Sequence, residues 1–153
     1  MGFIINPYQV SPSGPVYDTD AQAFFTATGI TDNTQKSAVN QLVLDLKSAS
    51  IWTKMKAIYP FVGGTATTHK FNLKDPRDLD AAFRLVFNGG WTHSSTGALP
   101  NGSNAYADTK LNPNTNLSYS NGHVSFYSRT STDGLYDIGV HAELHLLTRY
   151  GNL

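Results

Sequence analysis

The chain has no cysteine. Disulfide staples and thiolate metal sites are therefore excluded, and nothing marks the redox compartment. Charge is also scarce. Charged residues make up 14% of the 153, against about a quarter in an ordinary soluble domain. Lys plus Arg and Asp plus Glu number 11 each, so there is no basic field to neutralise phosphates, and nucleic acid is not an expected partner. Long apolar runs are missing too. Phe3-Ile4-Ile5 is too short, and has no basic residues before it, to read as a secretory leader. No stretch approaches the apolar length of a membrane span. The Gly pairs at 63–64 and 89–90 match neither phosphate-cradling pattern and read as turns.

Asn, Thr, Ser and Gly fill the place of the missing charge. That composition suits β-structure with many turns and surfaces that bind through neutral hydrogen bonds. A chain of this length can bury one real core.

Three parts follow one another. Residues 1–18 carry Pro7, Pro12 and Pro15 among apolar side chains, notably Phe3, Ile4, Ile5, Tyr8 and Val10. Proline blocks helix and ladder, so the segment reads as an extended arm. Such an arm is either a loose terminus or an anchor on a neighbouring subunit. The number of large apolar groups favours the anchor.

Residues 19–50 read as two helices. Thr19-Asp20-Ala21-Gln22 fits a capping box, Gly29 a stop, and Ala23, Phe24 and Ala27 an inward face. Asp32 opens a second helix over about 33–49, with Ala38, Val39, Leu42 and Leu46 in one stripe beside Val43. Asn40, Asp45 and Lys47 fall on its wet side. So short a pair must pack on the rest of the chain or on copies of itself.

From residue 51 to 153 the period turns to two. Strands are expected at Ala57–Val62, His69–Leu73 and Arg84–Phe87, with a helical turn at Asp75-Pro76-Arg77-Asp78 capped by Asp75. Asn-Gly or Asp-Gly pairs at 88, 101, 121 and 133 mark hairpins. A last strand is expected over Gly139–Leu147, with Val140, Ala142, Leu144 and Leu146 on one face. The fold class is therefore α+β: an antiparallel β-sandwich of jelly-roll type, preceded by two helices and the arm. Six or seven strands fall short of the usual eight. The sandwich is thus expected to be incomplete without partner chains, and the chain to form a homo-oligomer.

The block IWTKMKAIYPFVGGTATTHKFNLKDPRDLDAAFRLVFNGGWTHSS at 51–95 continues into GALPNGSNAYADTKLNPN and HVSFYSRT. It resembles a family of virion structural proteins of tailed phages and prophages, with a short helical part before a concanavalin-like or jelly-roll domain. The resemblance runs from about Asp20 to Thr130. It implies a particle component (fibre, spike, decoration or baseplate-associated) assembled in the bacterial cytoplasm and displayed on the virion. Its partners would be capsid, tail or baseplate proteins. A trimer is expected by analogy with viral fibres.

No catalytic pattern competes. His141, Glu143 and His145 are the best metal candidates, because alternation puts them on one strand face at roughly 7 Å intervals. Zinc or non-haem iron takes such ligands, but no fourth is marked and a polar outer face explains them as well. Asp75, Asp78 and Asp80 lack the spacing of a calcium loop, and helix-start chemistry accounts for Asp75 and Asp78. His69 and the His93-Ser94-Ser95 stretch have no nucleophile elbow and no placed acid. No enzyme activity, cofactor or metal is expected. A glycan-binding surface is the rival. Trp91 and Tyr106, with Tyr119 and Tyr127, offer faces for sugar stacking. Asn101 and Asn104, within the loop cluster Asn88–Asn116, offer donors and acceptors. The alternative for each is a core aromatic or a turn-forming Asn.

Overall fold

Helix-start and helix-stop chemistry decides the first third of the molecule. The computed structural model describes residues 14–118, 120–129, 138–141 and 143–146. The arm residues Phe3, Ile4, Ile5, Tyr8 and Val10 lie outside them, as does Tyr119. Helix α1 spans Thr19–Thr28 and ends at Gly29, whose φ of 67° suits the left-handed cap. Its N-cap is Asp18 rather than Thr19: the Asp18 carboxylate accepts from the Asp20 N–H at 3.0 Å. Helix α2 spans Asn33–Ser48, and Asp32 caps it by accepting from the Gln35 N–H at 2.8 Å.

The inward faces differ from those expected. In α1, Ala21, Phe24 and Phe25 are buried, while Ala23 and Ala27 are exposed. The edge of Phe25 meets Tyr17, with ring centroids 5.0 Å apart, and this contact turns the helix. In α2 the buried line is Val39 and Val43, with Leu46 partly covered; Ala38 and Leu42 are exposed. Asn40 and Lys47 are not on a wet face. Asn40 accepts from the Asp18 N–H at 2.7 Å. Lys47 bridges Asp18 at 2.7 Å and Asp20 at 2.6 Å, so it ties the end of α2 to the start of α1.

The helices pack on the segment that follows them. Phe24, Val39 and Val43 share one core with Trp52, Phe71 and Leu73. Fully burying each such side chain stabilises by roughly 1.5–3 kcal/mol. The 3-10 turn Trp52–Lys54 places the indole so that Lys74 Nζ lies 4.0 Å from its ring centre.

The strands expected at Ala57–Val62 and His69–Leu73 do not form. Residues 57–62 run irregularly, and His69 closes the single helical turn α3, Ala66–His69. A side chain takes the role of the ladder. Asn72, with no exposed surface, accepts from the Ile58 N–H at 2.9 Å and the Lys74 N–H at 3.0 Å. Its amide donates to the carbonyls of Lys56 at 3.2 Å and Ala82 at 3.0 Å. The run 57–62 is apolar, and the Leu73 N–H reaches the Ile58 carbonyl at 2.8 Å, but the Ile58 N–H is taken by this amide and no strand ladder extends. The helical turn expected at 75–78 falls instead at Asp80–Ala82, opened by Leu79. Asp75 is bound to Arg77 rather than capping a helix.

The β-structure is antiparallel and small. Strand β1 is Val86–Asn88, slightly later than expected; β2 is Trp91–Ser94, β3 Gly97–Pro100 and β4 Tyr106–Asp108. A short helix α4 follows at Pro113–Asn116, capped by Asn112. Strands β5, Ile138–His141, and β6, Glu143–Leu146, complete a four-stranded sheet in the order β1-β4-β6-β5. The single strand expected over Gly139–Leu147 is thus two strands folded on each other, His141 opposite Glu143. β2 and β3 form a separate hairpin. Its turn is Ser95-Thr96, since Ser94 pairs with Gly97; it is not an Asn-Gly pair. The fold is therefore α+β, and among the described residues the strands close no barrel.

Candidate functional site

Strand β2 separates two environments. Trp91 and His93 are half-buried on one face, while Thr92 and Ser94 are exposed on the other. On the covered face two histidines meet. α3 delivers His69, which is 1% exposed. His69 Nδ1 lies 2.9 Å from His93 Nδ1. Phe61 stands edge-on to His69 with centroids 5.4 Å apart, and Phe87 edge-on to His93 at 4.7 Å. Trp91 stacks beside His93 at 6.2 Å.

The proton positions follow from the donors. The Gly64 N–H points at His69 Nε2 at 3.2 Å, so that nitrogen accepts. His69 then carries its hydrogen on Nδ1 and donates to His93 Nδ1, which leaves the His93 hydrogen on Nε2. Both rings are neutral in this arrangement. Burial pushes His69 down from the ordinary 6.5 to about 4, with the neighbouring His93 adding to the effect. Burial lowers His93 as well. The backbone is strained beside the pair: Phe61 holds a φ of 52°, a left-handed conformation costly for a bulky residue.

A proton shuttle to a nucleophile is not assembled here. Ser94 lies on the opposite face of β2, with its hydroxyl 3.0 Å from that of Thr96. No group of three or more metal-ligating side chains occurs among the described residues. His141 and Glu143 face each other in the β5–β6 register, with His145 opposite Gly139; their side chains lie outside the described part of the structure. Asp75, Asp78 and Asp80 are each bound to a cation: Asp75 to Arg77, Asp78 to Lys70 and Arg84, and Asp80 to Arg84.

The glycan candidates are brought near one another, with their polar groups engaged. The Trp91 indole N–H donates to the Asn88 carbonyl at 2.9 Å. Asn101 Oδ1 accepts the N–H groups of Ser103, Asn104 and Ala105, and Asn101 Nδ2 donates to Asn104 Oδ1 at 2.7 Å. Asn112 caps α4. Tyr106 lies in β4, half-buried. Tyr127 is 84% exposed.

On the open face of β2 lies a cleft of about 1640 Å³. Its walls come from residues 51–62, the β2–β3 hairpin, and the run from Leu117 to Arg129. From Gly122 to Ser128 that run has neither bend nor regular structure, and every residue is exposed. Val124, Phe126 and Tyr127 stand in solvent, with Leu99 across from them on the hairpin. The sequence presents His69 and His93 only as candidate partners of serine. Their mutual contact joins residues 24 apart, and no local spacing announces it. The cleft had no sequence signal beyond the clustering of apolar groups. No protein-family model, curated protein or solved structure significantly matches the chain.

Proposed function

We propose that this chain is a structural component of a tailed-phage particle, a fibre, spike, decoration or baseplate-associated protein, working in assembly and surface display. The resemblance from about Asp20 to Thr130 motivates the reading. The observation that carries it is the cleft edge: a run of chain whose apolar side chains stand in solvent suits a part built to be covered in an assembly. The small sheets fit a jelly-roll-like sandwich completed by strands of neighbouring copies, and a trimer is the proposed state. In this reading the apolar arm of residues 1–18 attaches the chain to other virion proteins, and the histidine pair is a structural wedge, not a catalyst.

The test is incorporation. Particles assembled with the full chain should contain it, and particles assembled with residues 18–153 alone should lack it while the truncated protein remains folded. Normal incorporation of the truncated chain would remove the anchor. The exposed ring of Tyr127 favours a second reading, in which the displayed surface also binds a host glycan. A glycan array with the full chain separates the two: binding lost on Tyr127→Ala supports the adhesin, and silence supports a pure scaffold.

A further inference from the structure

The cations of the described residues divide in a telling way. Lys47, Lys70, Arg77, Arg84 and Lys110 pair with carboxylates. Lys36 and Lys74 lie over the rings of Phe25 and Trp52. The remaining three, Lys54, Lys56 and Arg129, have no acidic partner and no ring beneath them among the described residues. All three line the cleft, and among the described residues its lining holds no acidic side chain. Arg129 is only lightly held, donating to the Thr96 carbonyl at 3.3 Å.

The same cleft offers an unused backbone. Residues 122–127 make no backbone hydrogen bond among the described residues. An unbent stretch with free N–H and C=O groups is what an added strand pairs with. Apolar side chains flank it: Ile58 and Met55 on one wall, Leu99 on the hairpin, Val124 and Phe126 on the run itself.

We propose that the cleft binds an extended segment of a different protein, one that carries acidic side chains among apolar ones and adds as a strand to residues 122–127. Charge complementarity selects the acids, because three cations with no acidic partner among the described residues line one largely apolar cleft. The described residues of a second copy are poorly suited to supply the segment. Among the described residues, Asp18, Asp20, Asp75, Asp78, Asp80 and Asp108 are already paired with cations. Asp32 caps α2 and Asp45 accepts from Gln41. Nucleic acid is less suited still, since the chain carries no net charge to hold a phosphate backbone. This inference concerns the chemistry of a partner and holds wherever the protein works.

The test uses the full chain and fluorescein-labelled octapeptides, read by anisotropy at low salt. One peptide alternates valine with glutamate, a second valine with lysine, and a third is the glutamate peptide with alternate backbone nitrogens methylated. Saturable binding of the glutamate peptide is expected, at least about tenfold tighter than the lysine peptide and weakened by added salt. Methylation should cost about tenfold or more, because it removes the strand-pairing donors. Lys54→Glu with Lys56→Glu, two exposed positions, should weaken binding by a similar factor with an unchanged circular dichroism spectrum. Equal binding of the two charge types, or none, would overturn the proposal. So would undiminished binding of the methylated peptide, or equal competition by single-stranded DNA. A native mass that rises with concentration and falls when the glutamate peptide is added would reassign the cleft to self-association and overturn it too.

Discussion

His69 and His93 meet nitrogen to nitrogen, 2.9 Å apart, with the Gly64 N–H fixing which ring gives the hydrogen. Protonating His69 removes the acceptor for Gly64, and protonating His93 at Nδ1 sets two N–H groups against each other. The pair keeps both its own hydrogen bond and the one from Gly64 only while both rings are neutral.

A pH dependence of stability follows. His69 binds its proton at about 4 in the fold, against 6.5 ordinarily. Between those values the unfolded chain holds more protons, so stability falls as pH drops through the window and the loss levels off below about 4. The shift corresponds to roughly 3 kcal/mol at its limit. Urea unfolding between pH 7.5 and 4 measures it. His69→Gln should flatten the curve across that window, even if the variant is less stable throughout. Asp18, Asp75 and Asp78, held below the ordinary 3.8 by hydrogen bonds from Lys47, Arg77 and Lys70 respectively, contribute stability lost only at more acid pH.

Asn72 organises four backbone groups at the centre of the molecule. Asn72→Ala strands them without water and should cost on the order of 3 kcal/mol or more. Asn72→Asp should be no better, because a carboxylate cannot donate to Lys56 and Ala82. Denaturant midpoints of the two variants against the parent decide this.

Two glycines with similar backbone angles should respond differently to alanine. Gly29 has a φ of 67° and open space where a Cβ would sit. Gly89 has a φ of 74°, but its Cβ would lie 2.3 Å from the Asn104 carbonyl oxygen. Gly29→Ala should cost about 1 kcal/mol, the left-handed penalty alone. Gly89→Ala should cost clearly more, since backbone must move. Thermal unfolding of the pair tests the difference.

The Tyr59 hydroxyl donates to the Phe83 carbonyl at 2.5 Å, beside a φ of 58° at Phe83. Burial raises the phenol, so it stays protonated at every ordinary pH. Tyr59→Phe should cost about 1–2 kcal/mol by leaving that carbonyl unpaired. The loss should be flat from pH 6 to 9, where the phenol stays protonated in both the folded and the unfolded chain.

The helices were legible because their signals are local. Asp32, Gly29 and the Val39–Val43 spacing act within a turn or two of chain. Which face turned inward was less so: Tyr17 and Lys47 settle it from outside the helical pattern. The centre was less legible because the apolar run at 57–62 looks the same whether the Ile58 N–H pairs with a strand or with the side chain of Asn72. The β2–β3 hairpin turns at Ser95-Thr96, while Asn88, Asn101 and Asn112 spend their amides on loops and a helix cap. At the candidate site, both histidines were visible as residues. Their contact depends on α3 and β2 lying side by side, which only the tertiary fold brings about.

The central proposal is that this chain is built into a phage particle. Quantitative mass spectrometry of particles purified from the strain that carries the gene addresses it directly. The account predicts peptides of this chain at a fixed, symmetric copy number per particle, retained through gradient purification. Particles free of the chain, with the protein left in the soluble cell fraction, would contradict it.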